Sequence, residues 1–599
     1  MKKGNLEHWD NYDTYTNLLF FSQLVNELLF DYSIPSNRVS TLNSHYLCLD
    51  AMSAIEGIEK HGVPEGSLKP IMEELYSALK KDPIYSEKNN SPLDFFVKYQ
   101  GDRYVFSSRV SDLNYEELKK TAEALHTYYF SESKYYDSLK ESITDIVTNN
   151  KTDKQKELFR LVKSLLTELM NMGYSLSYIY EVMKKNYWAP KNNLTSAEDI
   201  KRFFDAFSLK DREYEVILKV NRKRMERFVQ YIDGVDLVDT LNDRYHGHAE
   251  KNFLKKANKQ AFILQKNKAL DPFAAARNVK DIIVLNMGLF RLFDHEYRYD
   301  INTAKCGVYD DSHFYSIGQV IRSIEHTKPL SSKQIAESMR ISNMAFESVV
   351  KNQSYYDVVS ILNAARFHSH SLDSNSEENQ LLDLWAIFET ILDISNKHTS
   401  DRIQQVCKYL VPILKRRYIY SLFSQLTEDI KNYDEPFLKK ITKGETDRHK
   451  KVQIICEFVL LENEEWDEER SNFLDRCNDF PLLKERIEYY GESLRTTKDV
   501  FEFVEKHGEC VRWQIMRIYR NRNLIIHNGS TMPYLSLLIE NLHSYVDEFL
   551  SYSIQTLSKG HDIDSMCQEL FVKECQWNST FQKNNRKMDT NLIEIMLEM

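Results

Sequence analysis

Sixteen glycines and twelve prolines in 599 residues leave this chain very short of turn formers. An all-β sandwich or barrel needs a turn signal every 8–12 residues or so, and phosphate-cradling loops need clustered glycine. Few breakers mean long uninterrupted elements, so the expected fold class is mainly α. Apolar residues recur at helical spacing over 15–30, 42–60, 67–81, 115–148, 153–172 and 176–186. The same reading makes helices of 216–231, 250–266 and 272–292. Thr195-Ser196-Ala197-Glu198 has capping-box form and is expected to start a further helix. One strand signal stands out. Phe95–Gln100 and Arg103–Phe106 are β-rich runs around Gly101-Asp102, the pattern of a two-residue hairpin near 95–106.

The chain is too long for one core, so two to four domains are expected. Residues 294–318 are irregular and rich in Tyr, Asp and His. The polar, unperiodic stretch 369–379 reads as the clearest linker. The division expected is a mainly helical region 1–190, a middle helical region 191–370 with a sensor or regulatory role, and a C-terminal domain 376–555. A charged tail, 556–599, is expected to be partly ordered and without chemistry.

Near the C-terminus lies the most informative run, Tyr519-Arg520-Asn521-Arg522-Asn523-Leu524-Ile525-Ile526-His527-Asn528-Gly529. It is the only Arg-x4-His pair in the chain. With 29 Arg, 41 Asn and 17 His in 599 residues, chance gives roughly 0.8 such pairs, and roughly 0.06 once Asn must follow Arg. Ile515, Ile518, Tyr519, Arg522 and Ile526 share one helical face, so Arg522 is expected on a packed side and needs a carboxylate. Leu382, Trp385, Ala386 and Glu389 share another face, and Glu389 is its charged member. Glu389 is therefore expected to face Arg522 and hold its guanidinium in a fork. Asn523 and His527 are four apart, so Asn523 is placed to hydrogen-bond the imidazole. Asn528-Gly529 reads as a helix stop, and Pro533 suits the start of the next helix. A guanidinium that neutralises phosphate beside an imidazole that moves protons is the equipment of RNA cleavage without a metal.

These residues resemble the Arg-x4-His signature of HEPN domains in its Arg-Asn-x3-His form. Leu381 to Glu389 is similar to the Leu-Trp-x3-Glu helix of the ApeA-like HEPN group, and Trp513 to Tyr545 to its last two helices. The resemblance covers about residues 376–555. It implies a helical bundle, a homodimer with motifs across a twofold axis, endoribonuclease activity and a role in defence against phage. Transfer RNA is the first substrate it suggests, and a phage-derived trigger or an antitoxin the further partner. Arg522, Asn523 and His527 are then the catalytic candidates, with Glu389 and Arg520 supporting. Arg512, Arg517, Lys415, Arg416 and Arg417 are the RNA-binding candidates. The competing class is a bundle that only dimerises or scaffolds a defence or toxin–antitoxin complex.

Other patterns carry less. The net charge of −10 argues against coating nucleic acid but not against a local site. A third basic cluster, Arg448, Lys450 and Lys451, reads as a solvated face as readily as a ligand site. Eight cysteines include no Cys-x-x-Cys, as expected of free thiols in a reducing cytoplasm. No stretch approaches 18 apolar residues and the first ten residues lack a signal-peptide core, so a cytoplasmic protein without a membrane segment is expected. His246-Gly247-His248 and His368-Ser369-His370 have chelating spacing but no third ligand nearby in the chain, so no metal or other cofactor is expected. Residues 330–342 have helix-turn-helix flavour, but no glycine turn, and read as an ordinary helical connection. No phosphate-binding glycine loop is present.

Overall fold

The computed structural model describes residues 3–30, 42–61, 63–85, 91–130, 134–191, 193–245, 253, 259–297, 301, 304–317, 332–351, 355–374, 376–392, 399–529, 535–559, 561, 563–582 and 585–598. The fold is mainly α, and the chain divides into two compact units. One unit joins residues 1–167 and 195–198 to 323–599; the other comprises 168–194 and 199–322. The helical region expected over 1–190 and the domain expected from 376 are therefore not separate units. Most of the former folds together with the latter.

The first stretch builds α1 (Thr16–Phe30), α2 (Ser44–His61), α3 (Leu68–Leu79), α4 (Tyr115–Tyr129), α5 (Lys134–Thr148) and α6 (Gln155–Asn171). The helix expected over 115–148 is two. α4 is opened by a capping box: Asn114 Oδ1 accepts from the Glu117 N–H at 3.0 Å, and a Glu117 oxygen accepts from the Asn114 N–H at 2.8 Å. The hairpin forms as expected, with β1 (Val97–Gln100) antiparallel to β2 (Arg103–Phe106) and Gly101 at φ 60° in the turn.

The second unit corrects the expected all-helical middle. After α7 (Leu176–Met183) come β3 (Arg212–Asn221), α8 (Arg222–Val229), β4 (Val235–Val238), β5 (Gln260–Ala269), α9 (Pro272–Arg291), β6 (Lys305–Tyr309) and β7 (Phe314–Ile317). The strands form one antiparallel sheet in the order β4-β5-β3-β6-β7. Thr195–Glu198 does not open a long helix; a short 3-10 turn, Ala197–Ile200, and one α turn, Lys201–Phe204, follow instead. Arg222–Val229 is helical as expected, whereas 216–221 and 260–266 are strands, for a clear reason. Val216, Leu218, Val220 and Ile263 pack under α8 and α9, while Ile217 and Phe262 are covered on the opposite face. A strand buried on both faces shows a continuous apolar run, which periodicity does not separate from a helix. His246-Gly247-His248 lies outside the described residues.

The last stretch contains α10 (Ser332–Lys351), α11 (Tyr355–Asp373), α12 (Glu377–Ile391), α13 (Thr399–Arg416), α14 (Tyr418–Tyr433), α15 (Glu435–Ile441), α16 (Arg448–Leu460), α17 (Glu464–Arg476), α18 (Pro481–Ser493), α19 (Thr497–Asn528), α20 (Leu535–Ser558), α21 (Ile563–Phe581) and α22 (Thr590–Glu598). In the segment with helix-turn-helix flavour, α10 runs unbroken from Ser332 onward. The expected linker 369–379 is a tight helical hairpin. α11 continues to Asp373, and Ser376 caps α12 by accepting from the Asn379 N–H at 3.2 Å. α10 and α11 then pack on α20 and α12, so the bundle begins upstream of 376. The tail beyond 556 is also folded. Met566, Leu570, Trp577 and Phe581 of α21, and Leu592, Ile593, Met596 and Leu597 of α22, are buried. Abundant charges between them hid this spacing.

Candidate functional site

α19 carries the motif. A capping box opens it, with Thr496 Oγ1 accepting from the Asp499 N–H at 3.2 Å and an Asp499 oxygen accepting from the Thr496 N–H at 3.0 Å. Gly529, at φ 61°, ends it by donating its N–H to the Ile525 carbonyl at 3.1 Å. Between them the apolar stripe runs from the core outward: Ile515 and Ile518 are buried, whereas Ile526 is 48% exposed. Arg522 sits where the stripe emerges.

The expected partnership is present. Arg522 Nη2 donates to both oxygens of Glu389 on α12, at 3.2 and 3.3 Å, and Trp385 Nε1 donates to Glu389 Oε1 at 3.0 Å. The grip is one nitrogen shared between two oxygens, not the two-nitrogen fork expected. The reason is that Nη1 is taken by Asn523 Oδ1 at 3.2 Å. Asn523 therefore serves Arg522 rather than the imidazole. The pair is only partly covered, with 22% of the Arg522 side chain and 28% of the Glu389 side chain exposed. His527 is exposed in the last turn of α19 and makes no hydrogen bond or ion pair among the described residues. Five helical residues set it about 7.5 Å further along the axis and about 140° around it from Arg522. Pro533 lies outside the described residues.

The basic residues expected to gather RNA are mostly committed elsewhere. Arg517 is 1% exposed and donates to Asp50 of α2 at 3.2 Å, to Glu74 of α3, and to Gln514 at 3.2 Å. Burial pulls its basicity down, but Glu74 and Asp50 more than offset this and hold it above the ordinary arginine range. Arg520, expected to support catalysis, donates to the same Asp50 at 2.7 Å. Arg512 lies 3.8 Å from Glu73. Lys415 is 5% exposed and is held by Glu505 and, at 2.8 Å, by Glu574. Its stem crosses α19 at Gly508, where an added Cβ would lie 2.7 Å from Lys415 Cδ. Arg517 and Lys415 are thus internal ion pairs, not ligands for a polyanion. Arg416 and Arg417 stack over Tyr552 and Tyr420, with guanidinium-to-ring distances of 4.7 and 5.4 Å. Of this pair, Arg417 is exposed.

Asp50 and Glu74 escaped sequence reasoning. They lie more than 440 residues from Arg517, and nothing local marks them. His507, also on α19, stacks on Tyr418 with ring centroids 3.6 Å apart, and burial, with Lys415 adding to it, pushes its pKa down to about 3.

Compared with known proteins, the chain matches no family model, no curated protein and no solved structure. No helix among the described residues is long and apolar enough to cross a membrane.

Proposed function

We propose that this chain is an endoribonuclease that cleaves RNA by transesterification without using a metal at the scissile phosphate. The observation that carries this reading is the outer end of α19. There a guanidinium is oriented by Glu389 and Asn523 yet keeps an open edge, and an exposed imidazole stands one turn and a half beyond it. In the proposed reaction the RNA 2′-hydroxyl attacks the adjacent phosphorus. His527 takes the 2′-hydroxyl proton as general base, and an imidazolium returns a proton to the departing 5′-oxygen. Arg522 stabilises charge on the non-bridging oxygens. The products are a 2′,3′-cyclic phosphate and a 5′-hydroxyl. The substrate supplies its own nucleophile.

Because Arg522 and His527 lie about 140° apart around one helix, one phosphate meets both most readily when two copies of α19 face each other. The site is accordingly assigned to a homodimer, as the HEPN resemblance implies. The same resemblance suggests a cytoplasmic, toxin-like effector of phage defence acting on transfer RNA.

The test compares purified wild type with His527→Ala on total RNA, with the new ends sequenced. Loss of cleavage by about 10²- to 10⁴-fold, with cyclic phosphate ends in the wild type, is expected. Equal cleavage by both proteins would remove His527 from the reaction, and cleavage by neither would remove the nuclease reading. Cleavage by a species that light scattering shows to be monomeric would remove the two-copy site.

One observation favours a second reading. Arg522 is tied to both Glu389 and Asn523, as in a structural ion pair, which suits a bundle that only dimerises or scaffolds. Wild type and His527→Ala that leave RNA intact and arrest growth equally support that alternative.

A further inference from the structure

The histidine pair at 368 and 370 is split by the fold. Two residues along a helix point about 200° apart, and here they serve different neighbours. His370 Nδ1 pairs with Asp383 of α12 at 2.6 Å. His368, on α11, turns to α20 instead, where His543 and Asp547 stand four residues apart on one face. His368 Nε2 lies 3.2 Å from Asp547 Oδ1, and His543 Nδ1 lies 3.4 Å from Asp547 Oδ2. One donor atom from each of the three residues falls within 4.8 Å of the others. The third ligand missing from the linear sequence is supplied across 179 positions.

We infer that His368, His543 and Asp547 form a binding site for one divalent transition-metal ion, with zinc the best fit. The spacing supports this. Donors held about 2.0–2.1 Å from a tetrahedral ion lie about 3.3 Å apart, close to the distance of each imidazole nitrogen from its nearer Asp547 oxygen. The two imidazole rings stack with centroids 5.2 Å apart and planes 26° from parallel, so they approach the carboxylate from the same side. Two imidazoles and one carboxylate are the borderline donor set that suits zinc, whereas calcium and magnesium take oxygen alone. A fourth position is open to water, because 45% of the Asp547 side chain is exposed.

His543 is the deeply placed member of the three. Its side chain is 11% exposed, and Nδ1 is the ring nitrogen that faces Asp547. The ion would clip α11 to α20 within the bundle that carries Glu389. None of its ligands belongs to the cleavage motif.

The test uses the full-length chain freed of metal by chelator, titrated with Zn²⁺ and, for spectroscopy, with Co²⁺. Asp547→Asn and His368→Gln alter partly exposed side chains, and melting in chelator checks that both still fold. Wild type is expected to bind one Zn²⁺, melt at higher temperature when loaded, and give the intense visible bands of four-coordinate Co²⁺. Each variant is expected to lose about tenfold or more in affinity together with the thermal gain. Variants that bind Zn²⁺ as tightly as wild type would place the ion on other histidines and overturn the site. So would the weak spectrum of six-coordinate Co²⁺ in the wild type. Neither readout depends on RNA cleavage, so the nuclease reading and the metal site stand or fall separately.

Discussion

Arg517 and Arg522 lie five residues apart on α19 and live in opposite surroundings. Arg517 is sealed at 1% exposure between two carboxylates, Asp50 and Glu74. Arg522 keeps 22% of its side chain open and leans on one carboxylate, Glu389. The first arrangement spends its charge inside the protein, binding the N-terminal helices to the motif helix. The second orients a charge and leaves part of it available. The difference explains why four arginines in eleven residues do not make a basic patch. Polyanion binding requires exposed charge, and here carboxylates drawn from α2 and α3 have already neutralised most of it.

The contrast can be tested at several strengths. Arg517→Met should cost most, about 3–5 kcal/mol in urea unfolding, because it strands buried carboxylates; a loss under 1 kcal/mol would show that Arg517 is not holding the unit together. Arg522→Ala should cost about 1 kcal/mol, since its partly exposed partner stays bonded to Trp385, while cleavage falls far more than stability. If stability collapsed as for Arg517→Met, the two sites would be of one kind. His507 gives a pH handle. Its folded pKa is depressed to about 3 against about 6.5 unfolded, so it costs nothing above about pH 6.5 and destabilises as pH falls below that. The slope is at most about 1.4 kcal/mol per pH unit. His507→Gln should flatten that part of the stability curve, and an unchanged curve would count against a buried neutral imidazole. Arg512→Ala, beside Glu73 at 3.8 Å and half-exposed, should change stability by less than about 0.5 kcal/mol.

The motif helix was legible because its signals are local. Its apolar stripe and its Asn528-Gly529 stop lie within a few helical turns of the residues they explain. The contact between Arg522 and Glu389 spans 133 positions, yet it followed from burial: a guanidinium on a packed face demands a carboxylate, and the facing helix offered one. What it did not reveal was the division of labour, in which Asn523 occupies the nitrogen a fork would use. The sheet was illegible for the opposite reason. Covered on both faces, β3 and the start of β5 lack the alternation that betrays a strand, and their pairing joins residues up to 57 positions apart, Arg212 with Ala269.

Short-range chemistry thus settled the mainly helical character, the hairpin at Gly101-Asp102 and the placement of Arg522 and His527 near the end of one helix. Each depends on spacing within a few residues, where backbone geometry leaves few choices. Only the tertiary structure decided which carboxylates reach Arg517, that the tail packs, and that His368 finds His543 and Asp547. Those pairings are selected by how whole helices bury their apolar faces, and no local pattern records which of many acids or histidines that burial will bring within 4 Å.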